Sequence, residues 1–228
     1  MRDPTKSDAF RVLRERGLRV STVLDVGVQH STPELISDFG DLPQVLFEPE
    51  RDFADQIARN YEAVDHTLVQ AAVCDTDGEV LFGSASLDGG DAKHWGSIGR
   101  GAPTPAVRLD TWLAANPRPG PYLLKIDVDG AELDVIAGSV VTLKQTSCVV
   151  IEAPLHTMIE RYSALREHGF VLWDIIDLCY FHENLSQVDM IFLAQSELQN
   201  PGFRPWQNEK FAMADWQPAD ALGPSYSS

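Results

Sequence analysis

Short runs of apolar, largely β-branched residues recur along this chain, each followed by a stretch with helical spacing, and that alternation leaves few folds open. STVLDVG (21–27) reads as a buried strand, since Val23, Leu24 and Val26 form a nearly continuous apolar run, and QVLFEPE (44–50), 67–74, PYLLKIDVDG (121–130) and SCVVIEAP (147–154) read as further strands. Between them lie helical stretches. Residues 5–17 carry a stripe of Phe10, Val12, Leu13 and Leu18; STPELISDFG (31–40) has Ser31 or Thr32 to cap it, Pro33 in its first turn and Gly40 to stop it. Residues 51–60, 131–145 and 157–168 continue the series, and a short strand EVLFGSAS follows the turn DTDG. FVLWDIID (170–177) and VDMIFLAQ (188–195) are two final strands joined by about ten residues, short enough for an antiparallel hairpin. The pattern predicts an α/β fold with a mainly parallel sheet and helices on both faces.

Ligands of such sheets bind beyond the carboxyl ends of the central strands, so the strand ends are where chemistry is expected. The first strand runs out through Asp25-Val26-Gly27-Val28-Gln29-His30-Ser31. A glycine there lets the backbone turn sharply and approach a ligand. The second strand ends in Glu48-Pro49, and Glu48 comes 21 residues after Gly27, where an acid is placed to accept from a ribose diol. Gln29 and Thr32 occupy the places of the second and third glycines of a dinucleotide fingerprint, which disfavours a pyrophosphate. An acid two residues before a single glycine instead suits a cofactor with an ammonium group, such as S-adenosylmethionine. The alternative is that Asp25 only caps the following helix and Glu48 is a solvated strand end.

The fourth main strand carries Lys125, Asp127 and Asp129 on one face and Leu124, Ile126 and Val128 on the other, as far as the strand persists. Charges inside a buried strand are costly unless paired or functional. A structural Lys125–Asp127 salt bridge, or a turn closed by Asp129 and Gly130, is the competing explanation. Glu152 ends the neighbouring strand, so Asp127 and Glu152 are expected to flank one cleft.

Composition narrows the partners. The formal charge of −16 argues against a nucleic-acid backbone or an anionic membrane as partner. No stretch approaches the roughly 20 apolar residues of a transmembrane helix, and the charged N-terminus lacks the apolar core of a secretory signal. Cys74, Cys148 and Cys179 form no C-x-x-C pair, which suits buried thiols in a reducing cytoplasm. The histidines show no metal-ligand spacing, so no metal site is expected. A single domain over 1–196 is predicted, with an irregular segment at 87–105 and a C-terminal extension at 197–228 in which Trp206 and Trp216 cover the core or, as the alternative, a dimer partner. His94 and Trp95 in the irregular segment either shape an acceptor pocket or pin the loop.

The segments VLDVGV, LFEPE, AAVCDTDGEV, RLDTWL, YLLKIDVDGAELDVIAGS and VVIEAP, spanning about residues 20–155, resemble the FkbM family of S-adenosylmethionine-dependent methyltransferases in order and spacing. The most specific piece is KIDVDGAELDVIAG, followed by F-E-P. The resemblance implies a class I methyltransferase (Rossmann-like) sheet of seven strands with the last antiparallel and inserted by a hairpin. It implies transfer of a methyl group from S-adenosylmethionine to a hydroxyl of a sugar or natural-product small molecule, in a protein free to form a homo-oligomer. Carried over by position, Asp25, Gly27, Val28, Gln29 and Ser31 face the methionine and ribose part of the cofactor, Glu48 and Pro49 the ribose, Ala72 and Val73 the adenine, and Asp127 the transfer cleft. Asp127 is the expected base with Lys125 orienting it; Glu152 and His30 are second choices. His94 and Trp95 are the expected acceptor contacts. The chain departs from the family's D-x-G-A-N-x-G at Val28, at Gln29 and at Ser31, which stands where the second glycine would be, and Asp129 replaces a glutamate. A catalytically silent binding protein, or an NAD-dependent oxidoreductase, are the alternative functions.

Overall fold

In the computed structural model, described over residues 2–86 and 94–203, eleven strands and seven α-helices follow one another in chain order. The main sheet contains β1 (Thr22–Val26), β2 (Gln44–Phe47), β3 (His66–Val69), β8 (Tyr122–Ile126), β9 (Thr146–Pro154), β10 (Phe170–Phe181) and β11 (Asn184–Ala194), in the spatial order β10-β11-β9-β8-β1-β2-β3. β1, β2, β3, β8 and β9 are parallel, whereas β11 is antiparallel to both β9 and β10. This is the class I methyltransferase arrangement that the sequence pointed to. The chain leaves β1 toward β2 on one side and returns to β8 on the other, so the switch point, and with it the ligand crevice, lies between β1 and β8.

Each central strand sorts its apolar side chains with a period of two. Leu24, Leu124, Val149 and Phe192 face α4 (Leu109–Ala115), α5 (Glu132–Ala137) and α7 (Met158–Glu167), with α6 (Val140–Leu143) closing that side. Val23, Leu123, Val150 and Ile191 face α1 (Lys6–Glu15) and α2 (Pro33–Phe39), where Phe10 and Phe39 meet edge to face at 5.4 Å. α3 (Ala54–Asn60) completes this layer over Leu46, with Ile57 and Tyr61 buried. Leu24 and Leu124 are fully buried, and each such side chain contributes about 1.5–3 kcal/mol of burial.

Four expectations are corrected. The third strand does not run from 67 to 74: it breaks after Val69, and β4 (Ala72–Val73) joins a second sheet with β5 (Gly78–Ser86), β6 (His94–Ile98) and β7 (Ala102–Val107), ordered β4-β7-β5-β6. The segment read as irregular at 87–105 therefore includes β6 and most of β7. Pro103 and Pro105 disguise β7, but its edge toward β4 is paired only at Ala106 and Val107, and a proline is tolerated where a strand edge is unpaired. The last two strands are also longer than expected. They meet in a two-residue turn at His182-Glu183, both with positive φ (46° and 63°), the geometry whose twist matches a hairpin. Cys74 and Cys148 are buried as expected, but Cys179 is exposed on β10.

Past residue 196, the short turns at Glu197–Gln199 and Pro201–Phe203 pack back on the domain, with Phe203 fully buried beside Phe10 and Phe39. Trp206 and Trp216 lie outside the described residues. Among the described residues no helix is long and apolar enough to cross a membrane.

Candidate active site

The register between β1 and β8 sets Asp25 directly beside Lys125. Both side chains point to the α1–α3 face at the carboxyl end of the sheet, and burial removes water from them. The Lys125 ammonium has three donors. It lies 3.2 Å from Asp25 Oδ1 and 3.2 Å from Asp127 Oδ2, and donates to the Gly27 carbonyl at 3.0 Å. Asp25 Oδ2 accepts from the Tyr61 hydroxyl at 3.4 Å, and that hydroxyl accepts from the Thr32 amide at 3.0 Å. Burial works against a charged lysine, but the two carboxylates outweigh it and raise the Lys125 ammonium above its ordinary range.

Gly27 is the tightest point. Its φ is +83°, and a Cβ there would sit 1.7 Å from the Asp127 carbonyl oxygen. The close approach is held by Asp127 N–H donating to the Val26 carbonyl at 3.0 Å. β1 and the end of β8 thus touch backbone to backbone, and the crevice opens just beyond.

That crevice is a cavity of about 310 Å3, at the small end of ligand-pocket sizes. Gly27, Val28, Gln29, Ser31, Glu48, Pro49, Lys125, Asp127 and Glu152, all expected site residues, line it. Glu48 accepts from the Gln29 amide at 2.7 Å and the Glu50 amide at 2.8 Å. Burial pushes its carboxyl up to about 7 against those two donors. The Gln29 backbone is left-handed (φ 54°), while Ser31 is not among the non-glycine residues with positive φ. A serine in place of the family's glycine therefore needs no backbone strain. Ser84 of the second sheet donates to the Glu50 carboxylate, and Phe82 of the same strand joins the cavity wall.

At the other end stands a carboxyl pair. Asp127 keeps 35% of its side chain exposed. Burial opposes its charge, but Lys125 and then Lys6 prevail, and Glu152 hydrogen-bonds to it, so Asp127 titrates below the usual carboxylate range. Glu152 is pushed up to about 9, first by burial and then by the charges of Asp127, Asp129, Asp189 and Glu132. Its Oε1 accepts from the Gln187 side-chain amide. The proton of the pair is thus held above the usual carboxylate range, with Glu152 the raised partner and Asp127 the lowered one.

Several expected residues are placed elsewhere. Asp25 is fully buried and takes its ammonium from Lys125 within the chain, so it braces the site and does not line it. His30 is turned toward Phe53, 6.4 Å between ring centroids, and is not part of the cavity wall. Ala72 and Val73 are buried in the small sheet, also away from the wall. The backbone of His94 and Trp95 belongs to β6, but their side chains lie outside the described residues. The suggested Lys125–Asp127 bridge and the turn at Asp129 (φ 52°) and Gly130 (φ 112°) both exist. Asp127 lines the cavity between them.

Sequence reasoning missed Lys6, Tyr61 and Asp189. Lys6 lines the cavity from α1, its ammonium 2.6 Å from Asp189 and 3.5 Å from Asp177. One signal was available: Asp189 is the only charge inside the apolar run VDMIFLAQ. Among the described residues no group of three or more His, Cys, Asp or Glu is placed to hold a metal ion.

The sequence model described as the Methyltransferase FkbM domain matches residues 25–172. The chain belongs to the FkbM methyltransferase family. The match starts at Asp25 and contains Gly27, Glu48, Lys125, Asp127 and Glu152. No curated protein matches the chain. Solved structures similar to this FkbM-family protein include the precorrin-6y C5,15-methyltransferase of Geobacter metallireducens, 13% identical, TM-score 0.45, covering 82% of this chain and 86% of that one. Another is the ribosomal protein L11 methylase of Lactobacillus delbrueckii subsp. bulgaricus, 11% identical, TM-score 0.45, with 82% and 76% covered. A third is a Streptococcus pneumoniae protein assigned as a tRNA methyltransferase and solved in complex with S-adenosyl-L-methionine, 12% identical, TM-score 0.45, with 82% and 72% covered.

Proposed function

We propose that this methyltransferase moves a methyl group from S-adenosylmethionine to a hydroxyl of a small polyhydroxylated acceptor, a sugar or a natural product, with Asp127 as base. The observation that carries the reading is the placement of Asp127: a carboxyl at the β1–β8 crevice, 3.2 Å from the Lys125 ammonium and open to the cavity on one side.

The residues present suit the cofactor. Six carboxyl groups line the cavity (Glu34, Glu48, Glu50, Asp127, Asp129 and Glu152) against two ammonium groups (Lys6 and Lys125). Even with Glu152 raised to about 9 and Glu48 to about 7, the remaining carboxyl groups outnumber the two ammonium groups, which favours a ligand with positive charge, as a sulfonium and an α-ammonium provide. Glu48 and Gln29 would hold its sugar end, and the Gly27–Ser31 turn would lie along its methionine end. When bound, the cofactor supplies an electrophilic methyl carbon on sulfur.

The chain's own residues do the rest. Alignment and proton removal are what an in-line transfer to oxygen requires. Lys125 fixes the Asp127 carboxylate through an ion pair whose other half, Asp25, is itself fixed by Tyr61. Asp127 accepts the acceptor's hydroxyl proton as the oxygen becomes nucleophilic. Glu152, protonated, donates to Asp127 and keeps a second negative charge out of the cleft.

Calorimetric titration with S-adenosylhomocysteine, with NAD as a control, tests the cofactor. Micromolar binding of the first alone supports the reading, and absence of binding refutes it. Asp127→Asn should lower methyl transfer by about 10²–10⁴-fold while S-adenosylhomocysteine affinity stays within a few-fold. Near-normal turnover in that variant would remove Asp127 as the base.

A further inference from the structure

The turn that carries Asp127, Val128 and Asp129 along the cavity wall runs from the end of β8 to α5. It is left-handed at Asp129 and Gly130 (φ 52° and 112°), and an aspartate keeps that conformation only where its surroundings hold it. One end of the turn is held by β1, since the Asp127 amide donates to the Val26 carbonyl at 3.0 Å. The other end is held from the helical layer behind the sheet. Glu132, the first residue of α5 and fully buried, accepts from the Gly130 amide through Oε1 at 2.9 Å. Its Oε2 accepts from Nη2 of Arg161 on α7, a side chain that is itself buried.

Arg161 carries the tie across to β9. Its Nη1 donates to the Thr157 carbonyl at 3.1 Å, and the Thr157 hydroxyl donates at 3.4 Å to the carbonyl of Pro154, the last residue of β9. Glu152 lies two residues earlier in that strand and lines the cavity together with Asp127. One buried ion pair therefore joins the turn beside Asp127 to the turn beside Glu152, although neither of its members belongs to the described cavity wall.

We propose that Glu132 and Arg161 are positioning residues: by bridging these two turns from behind the sheet, their pair sets where Asp127 stands in the cavity relative to Glu152. The inference rests on the reading of Asp127 as the base.

Stability is a weak reason for such a pair. Apolar side chains of similar volume often match or better a buried ion pair, whereas loss of one partner alone is costly. Two methionines could fill the space, but they could not supply the geometry. They offer no acceptor to the Gly130 amide and no donor to the Thr157 carbonyl, and they lack the planar fork that lets Arg161 reach Glu132 and Thr157 together.

The test is Glu132→Met/Arg161→Met in the full chain. Its melting temperature should equal or exceed that of the wild type, while its crystal structure shows the turn at 128–130 displaced by about 1 Å. With a panel of monosaccharides as acceptors, kcat should fall about 10²-fold, the cost of a misplacement on that scale, and KM for S-adenosylmethionine should stay within a few-fold. Asp127→Asn, expected to cost about 10²–10⁴-fold in the wild type, should cost less than about 10-fold in the double variant, because residues that act through one another are not additive. A purely structural pair would leave the cost of Asp127→Asn the same in both backgrounds. That result, or an unmoved turn in the folded double variant, overturns the proposal. If the double variant does not fold, Arg161→Lys decides, since it keeps a cation for Glu132 but replaces the two-nitrogen fork by one nitrogen; an unmoved turn or a wild-type kcat there overturns the proposal. The crystal structure needs neither cofactor nor acceptor, so an unmoved turn strikes this inference alone. A wild type that binds no S-adenosylhomocysteine strikes the functional reading.

Discussion

Gly27 and Gly169 share nearly the same φ, +83° and +85°, but not the same surroundings. A Cβ on Gly169 meets nothing within 4 Å, whereas one on Gly27 would lie 1.7 Å from the Asp127 carbonyl oxygen. Alanine at either position carries the left-handed strain of an L-residue, about 1–2 kcal/mol. Only at Gly27 must a backbone carbonyl also retreat by more than an ångström, and forcing atoms into a packed interior costs about 1–3 kcal/mol more. Gly169→Ala should therefore lose about 1–2 kcal/mol and Gly27→Ala about 2–5 kcal/mol. For a chain of this size each kcal/mol lowers the melting temperature by about 2–4 °C. Calorimetric melting of the two variants side by side isolates the second cost. Gly27→Ala should also lose S-adenosylhomocysteine binding, because the retreat widens the β1–β8 crevice, while Gly169→Ala should retain it. Equal melting temperatures, or wild-type affinity in Gly27→Ala, would refute the claim that backbone contact at Gly27 sets the crevice.

Two further outcomes follow from the charges. Glu152 is raised from 4.5 to about 9 in the folded protein, so its contribution to stability is full below the unfolded value and is lost as pH rises through the folded one. Melting temperature should accordingly fall from about pH 5 to 9 in the wild type, and Glu152→Gln should flatten that fall; an unchanged slope would place the proton elsewhere. Lys125→Met strands Asp25 in the core and should cost about 3–5 kcal/mol in urea unfolding. Adding Asp25→Asn should recover part of it, and no recovery in the double variant would mean that Lys125 acts mainly by packing.

The linear pattern of this chain determined a good deal. Apolar runs such as those around Leu24 and Val149 read as strands covered on both faces, because a short β-branched run has no polar side to give to water. Their alternation with helices forces a parallel sheet. Glu48, Lys125, Asp127 and Glu152 were visible because charges in or at the ends of such strands are costly unless paired or functional. Pairing was not visible. Asp25 looked like a contact for a cofactor's ammonium, but the β1–β8 register gives it the ammonium of Lys125. Pro103 and Pro105 hid β7, since whether a strand tolerates a proline depends on which edge is free. Lys6 lies 119 residues before Lys125 and 183 before Asp189, with nothing local to link them. Such a contact exists only once the N-terminal helix is docked on the sheet, because side chains far apart in sequence acquire a common electrostatic environment only through the tertiary packing that removes the water between them.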